Sequence, residues 1–421
     1  MWKSIVLAII IFCSYVNSFS QEDVRHDLKM AKKEYNFGNY IDALPYYINL
    51  SKAQPDVIDF YFKLGVCYLN VNSFPEALYN IEKYKSLVDN KSIDKHFHFW
   101  YARALHLNDK FDEAIEEYTV YTAESKSHIQ ISEYDNLYVN QVLIAKKLKS
   151  TPVEGVRVSN LGKVINSEYN EYNGIFSRDW ATLYFTSDRP IDYVKSVRHQ
   201  HPERVFTSTR VNYGNWSVPE LVPGVLNDNP NVSCVELIDN DSTMLVHKEG
   251  HYGDLFTCKK SDSGWVGLEP MEMINSWGVE DDAFMTQDGK KIIFSSDINS
   301  SNGDLDLYIV ELMEDSTWSL PKSLGNMINT RFDEDSPFLT EDGKTLYFCS
   351  NSNLSMGGFD IFKSEMNPNG TWGAPMNMGY PYNSPANDIN FYVDDKKGVA
   401  IFSSQRAGGY GEMDLYVVEL K

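Results

Sequence analysis

After residue 150 one order of strands returns five times, and this constrains the fold of the chain more than any other feature. A short apolar strand with a small polar ending appears as Ala181–Asp188, Lys291–Asp297, Thr345–Asn351 and Val399–Gln405, with a degenerate copy at Thr243–His247. A second strand follows a glycine turn at Gly303–Ile309, Gly358–Lys363, Gly411–Val417 and, more loosely, Gly253–Thr257. A tryptophan comes next, at Trp216, Trp265, Trp318 and Trp372. The units open near Asn166, Asn227, Asn275, Asn329 and Asn383, about 50 residues apart, too short for each to bury a core alone. The fifth unit stops after its third strand, and the missing piece lies at the other end, where Ser159–Asn166 matches Lys322–Asn329. A ring closed by a strand borrowed from the N-terminal side leaves no open edge.

This order of strands resembles the TolB-type, WD-repeat-like β-propeller over residues 156–421 and implies five blades with an interlocked closure. Residues 24–150 carry a different repeat, of helical period. A small residue after a polar turn recurs as Ala43, Ala77 and Ala114, 34 and then 37 residues apart. Tyr35, Tyr68 and Leu105–His106 stand eight or nine residues upstream of these alanines, and Tyr47, Ile81 and Tyr118 four residues downstream. Leu64-Gly65 permits close helix packing. The pattern resembles the tetratricopeptide repeat, with three copies and a closing helix within Ile129–Lys149. The expected class is therefore α+β multidomain: an N-terminal α-helical solenoid, a linker at 151–155, and an all-β propeller. A solenoid of this family implies a concave groove for extended or helical peptide, with Tyr35 and Tyr68 as partner-binding candidates.

Residues 1–20 read as an export signal. Lys3 precedes the apolar run Ile5–Phe12 and a small, polar stretch to Ser20, with cleavage expected near Ser20 or Gln21. The run is too short to span a bilayer, and Cys13 follows Phe12 where a lipobox would place a small residue. The net charge is −21. Its acidity is uneven: residues 22–150 carry 19 acids and 16 bases, residues 151–421 carry 40 and 21. Such a surface excludes nucleic acid as a partner, because that binding depends on Lys and Arg against phosphate. Five cysteines exclude a disulfide-built scaffold, and Cys234 and Cys258 fall on first and third strands of one unit, a poor geometry for a bridge.

An acid stands five residues after the opening Asn in four units: Glu171, Glu280, Glu334 and Asp388, with Val232 in the other. At the start of the innermost strands these carboxylates are candidates to crowd the axial channel and hold a hard cation such as Ca²⁺. Their blander role is to accept hydrogen bonds from backbone or from a neighbouring blade's Ser-Ser turn. Asp306, Asp360 and Asp414, beside glycine turns, read as pins for strand entry. An insertion at 192–204 places Lys195, Arg198, His199, His201 and Arg204 on an otherwise acidic domain, as solvated loop or partner contact. No nucleophile elbow, phosphate loop or zinc-binding helix motif occurs, so we expect no enzymatic activity and no cofactor apart from that candidate Ca²⁺.

Signal, helical repeats and five-unit propeller together resemble envelope proteins of Bacteroidetes-type bacteria associated with outer-membrane, type IX secretion or gliding machinery. That family often continues into an OmpA-like domain, which this sequence lacks, so peptidoglycan anchoring is not among the things implied. The resemblance implies a periplasmic scaffold binding protein partners of the cell envelope. A glycan, peptidoglycan-fragment or peptide module using the propeller mouth is the alternative. A hydrolase or lyase would need a cleft of convergent acids or histidines with perturbed pKa.

Overall fold

The structure is a computed structural model that describes residues 20–89, 93, 95–125, 136–191, 201–212, 214–228, 231–249, 253–298 and 305–420. Residues 1–19, where the export signal and Cys13 are expected, and the insertion residues Lys195, Arg198 and His199 lie outside the described residues. Among the described residues no helix is long and apolar enough to cross a membrane. The chain forms two compact units, Met1–Asp94 and Lys95–Lys421.

The first unit holds α1 (Gln21–Asn36), α2 (Tyr40–Ala53), α3 (Asp59–Asn70) and α4 (Phe74–Leu87). Ser20 and Asp23 cap α1 reciprocally, each side chain accepting from the other's backbone N–H. Ala43 and Ala77, the small residues of the repeat, are fully buried because the paired helices meet there. Gly65 serves the same contact: a Cβ on it would lie 2.3 Å from Ile81 Cγ1. Tyr35 and Tyr68 are half-buried on this unit's core, and the Tyr35 ring stands edge-on to Tyr40 and Tyr47.

In the second unit, α5 (Lys95–Leu107), α6 (Phe111–Ser125) and α7 (Leu137–Ser150) precede the sheets. His98 Nδ1 lies 2.6 Å from Glu117 Oε2, joining α5 to α6. The Gln141 amide on α7 donates to the carbonyls of Asn351 and Ser352 in the propeller, both at 3.3 Å. His106 on α5 is 2% exposed.

Five antiparallel sheets follow. The strand β1 (Arg157–Asn160) stands apart in sequence from its sheet. Blade one is β2 (Glu171–Phe176), β3 (Thr182–Ser187) and β4 (Arg204–Asn212), with outer strands β5 (Asn215–Trp216) and β6 (Glu220–Leu221). Blade two runs β7 (Val232–Ile238), β8 (Thr243–Lys248), β9 (Asp254–Ser261) and β10 (Gly264–Pro270). Blade three has β11 (Glu280–Met285), β12 (Lys291–Ser296), β13 (Asp306–Glu311) and β14 (Lys322–Ser323). Blade four has β15 (Glu334–Leu339), β16 (Thr345–Ser350), β17 (Asp360–Glu365) and β18 (Met376–Asn377). Blade five has β19 (Asp388–Asp394), β20 (Val399–Ser404) and β21 (Asp414–Glu419), and its fourth strand is β1, with Arg157 opposite Glu419.

The repeated residues explain themselves in these blades. Middle strands are buried on both faces, so they read as nearly continuous apolar runs. In four blades an aromatic on the middle strand faces one on the next: Phe185–Phe206, Phe294–Tyr308, Phe348–Phe362 and Phe402–Tyr416, with centroids 5.9, 5.9, 5.9 and 5.8 Å apart. Each opening Asn clasps the third strand of the blade before it through both ends of its amide. Asn329 does so on the backbone of Leu307 at 3.0 and 2.9 Å, and Asn383 on Ile361 at 2.8 and 2.9 Å. Asn166 does so on Leu415, which ties blade five to blade one. The side chain thus gives a buried backbone N–H its acceptor and the same residue's carbonyl a second donor, beside the N–H that Leu324 gives Leu307 and Met378 gives Ile361.

Candidate functional site

The four recurrent acids begin β2, β11, β15 and β19, and all four are fully buried. Each is held inside its own blade. Glu280 accepts from the N–H and hydroxyl of Ser276, at 2.9 and 2.6 Å, and from the Ser296 hydroxyl at 2.7 Å. Glu334 does the same with Thr330 and Ser350, Glu171 with Ser167 and Ser187, and Asp388 with Ser384 and Ser404. Arg189 and Arg406 add ion pairs to Glu171 and Asp388. The structure therefore does not bring the four together as a Ca²⁺ site; their lone pairs are taken by bonds that brace the loop entering each inner strand. Among the described residues no three of His, Cys, Asp and Glu form a metal-ligating group. The bracing serine belongs to the same blade, not to a neighbouring one.

The channel is lined instead mainly by residues one or two places further along the inner strands, with Glu203 and His247 from outside them. Every inner strand carries a β-bulge there: between Tyr172 and Ile175, Cys234 and Glu236, Glu280 and Ala283, Asp335 and Phe338, and Ile389 and Tyr392. A bulge inserts a residue and re-aims its side chains. Asn173, Ser336 and Asn390 take positive φ of 49°, 51° and 55° within it. The result is a cavity of about 160 Å³ lined by Tyr172, Asn173, Glu203, Ser233, His247, Asp281, Asp282, Asp335, Ile389 and Asn390.

Carboxylates dominate this mouth. Ser295 Oγ donates to Asp335 Oδ1 at 2.6 Å, and the Asn390 amide donates to Asp282 Oδ2 at 3.2 Å and Ser336 Oγ at 3.1 Å. Burial, and then the charge of Asp281, pushes the Asp335 carboxyl up to about 7. Burial and the charges of Asp335 and Asp281 push Asp282 well above the usual carboxylate range. Asp281 is raised by burial and by Glu203. Burial lowers His247 against the pull of Glu203 and Asp335, among other acids. Three aspartates in one small space therefore cannot all stay ionised near neutral pH without a cation among them. Further along the inner strands Phe284, Phe338 and Tyr392 meet edge to face at 4.9 Å each.

Of the other candidates, His201 stands edge-on to Tyr169 at 5.6 Å, and Arg204 donates to the Asn227 carbonyl at 2.7 Å, a contact within the propeller. Asp360 and Asp414 accept the N–H groups of Met356 and of Tyr410 and Gly411, pinning their turns. The four described cysteines are free and buried. No protein-family model matches the sequence, and no curated protein matches it. Among solved structures, a TolB-like protein from Agrobacterium tumefaciens is 12% identical, with a TM-score of 0.36 over 62% of this chain and 87% of that one. The RS223 β-xylosidase is 13% identical, with a TM-score of 0.40 over 63% and 95%. The Yersinia enterocolitica type III secretion chaperone SycD, in complex with a peptide of the translocator YopD, is 22% identical, with a TM-score of 0.25 over 32% and 99%. At these scores the architecture of this chain rests on its own strand pairing.

Proposed function

We propose that this protein is a non-catalytic scaffold that binds partner proteins through its helical repeats and the mouth of its propeller. One observation carries the reading: the convergent polar groups of the second unit gather in a cavity of about 160 Å³, below the ~300–1,000 Å³ of sites that enclose whole small-molecule ligands. Such a mouth suits a protruding group of a larger partner. The export signal read in residues 1–20 leads us to propose the periplasm, with the outer-membrane or secretion machinery as the setting. Affinity purification of the tagged full-length protein from gently solubilised native envelope, with mass spectrometry of what it retains, is the test. Enrichment of envelope proteins is expected, and recovery of the protein alone overturns the reading.

A hydrolase is the second reading, favoured by Asp281, Asp282, Asp335 and His247 in one cavity with shifted proton affinities. Paired acids and bases are what glycoside hydrolysis needs. Turnover of aryl glycosides by the wild type, lost on Asp282→Asn, would establish it; none across a panel of pentosides and hexosides removes it.

A further inference from the structure

We propose that the axial mouth of the propeller receives a single lysine or arginine side chain of a protein partner. The proposal rests on the scaffold reading above and names the chemistry by which that partner is recognised. Asp281, Asp282, Asp335 and Glu203 face one cavity, and among the described residues no lysine or arginine forms an ion pair with any of them. Three further polar atoms on the same lining, Asn173 Oδ1, Asn390 Oδ1 and His247 Nε2, are buried to under 1 Å² each and have no hydrogen-bond partner. Buried polar atoms are nearly always bonded, so a cluster of orphans around one cavity marks a missing partner. The two amide oxygens are acceptors that lack a donor, and the carboxylates beside them, already bonded to Ser295 and Asn390, are acceptors too. An ammonium or guanidinium supplies three to five N–H donors with a positive charge, and neither group carries an acceptor to clash with the lining.

Size and setting agree with a side-chain head group. The cavity far exceeds the ~10–15 Å³ that one water needs, yet it is small for a sugar chain. The same lining offers no three-ligand group for a metal. Four residues before Asp281, Trp277 is 92% exposed. Its loop is held by Glu280 through Ser276, by the Ser276 hydroxyl taking the N–H of Gly278 at 2.9 Å, and by Asp297 taking the N–H of Val279 at 2.7 Å. An exposed tryptophan on the loop leading into the strand of Asp281 and Asp282 is the kind of aromatic anchor that protein interfaces favour.

The test is isothermal titration of the full-length protein with a Gly/Ser nonapeptide bearing one central lysine, with its arginine and norleucine counterparts, at millimolar peptide. The lysine and arginine peptides bind saturably and the norleucine peptide does not. Asp282→Asn weakens binding about tenfold or more, as expected on losing one partner of a desolvated charge pair. Ser233→Lys, which places a tethered cation in the mouth, abolishes it and guards against misfolding of the first variant. Asp262→Asn, on the exposed turn between β9 and β10, leaves it unchanged. Equal binding by wild type, Asp282→Asn and Ser233→Lys overturns the proposal in favour of diffuse attraction to an acidic surface. Absence of saturable binding overturns it, and so does binding seen only with calcium present. Envelope co-purification with Asp282→Asn separates the two readings: a partner retained by this variant leaves the scaffold standing and removes the mouth, whereas peptide binding without any co-purified partner does the reverse.

Discussion

Ser295 on the middle strand of blade three donates its hydroxyl to Asp335 on the inner strand of blade four at 2.6 Å, so the acidic mouth is also a joint between blades. The same hydroxyl accepts the N–H of Asp282 at 3.0 Å. Rigidity and charge are thus built from the same atoms, and changes at the mouth are read in both stability and binding.

The Asp335 carboxyl, raised by burial and by Asp281 to about 7, lies above its unfolded value of 3.8. Between those values the native state holds a proton that the unfolded chain has released. Stability from this group is therefore full at low pH and falls as pH rises towards 7. Asp281, Asp282, Glu203, Tyr172 and His247 line the same cavity, and the Asp281 and Asp282 carboxyls are raised with it. Asp335→Asn is expected to flatten this part of the midpoint-versus-pH curve between about pH 4 and 7. A curve parallel to the wild type's counts against the shared charge.

Occupied brackets leave no room for calcium at the four recurrent acids. We expect millimolar calcium and EDTA to leave the thermal midpoint of the full-length protein unchanged. Glu280→Ala, by contrast, takes the acceptor from the buried Ser296 hydroxyl, which keeps only the N–H of Ile298, and frees the Ser276 loop, at a cost of about 2–4 kcal/mol in denaturant unfolding. A cost under about 0.5 kcal/mol would mean that the bracket is not structural.

Asn329→Ala removes both hydrogen bonds to the Leu307 backbone and leaves its N–H buried without a partner, while the carbonyl keeps the N–H of Leu324 at 3.0 Å. A loss of about 1–3 kcal/mol is expected in urea unfolding. Asn329→Asp keeps the acceptor but not the donor, and falls between the two.

His106 is buried and held down to about 3, by desolvation first and by Arg103 second, opposed by a bond to the Met356 backbone. Its folded value lies below the ordinary 6.5, so the unfolded chain takes up the proton first and stability drains away as pH falls from 6.5 towards 3. His106→Phe removes that term. Its acid limb should be shallower than the wild type's by circular dichroism, and an unchanged limb would place the loss elsewhere.

In the helical unit Gly65→Ala drives a methyl into Ile81, and a cost of about 1–3 kcal/mol is expected from overpacking, measured by denaturant unfolding of the full chain.

Architecture was legible because it repeats. Ala43 and Ala77 are buried where the helical register put them, and the match of Ser159–Asn166 to Lys322–Asn329 identified β1 as the strand that completes blade five. The recurrent Asn was visible too, but not its reason, since a clasp on the preceding blade is long-range in sequence. The mouth was missed by one and two residues. Recurrence after the opening Asn singles out Glu280, whereas the bulge that follows it brings both Asp281 and Asp282 to the cavity. Asp281-Asp282 beside Glu280, and Asp335 beside Glu334, were the available signal. Tyr35 and Tyr68 show the other limit: an aromatic at a repeat position reads the same whether it faces a groove or, as here, packs half-buried on its own unit.

The pairing of Arg157 with Glu419 carries a consequence for how such a chain comes to exist. A ring whose first strand waits for its last closes late in folding, because the contacts that seal it span the whole propeller and bear the entropy of that loop. Four blades formed without that pairing still lack a seal, so the ring gains its last contacts together rather than blade by blade.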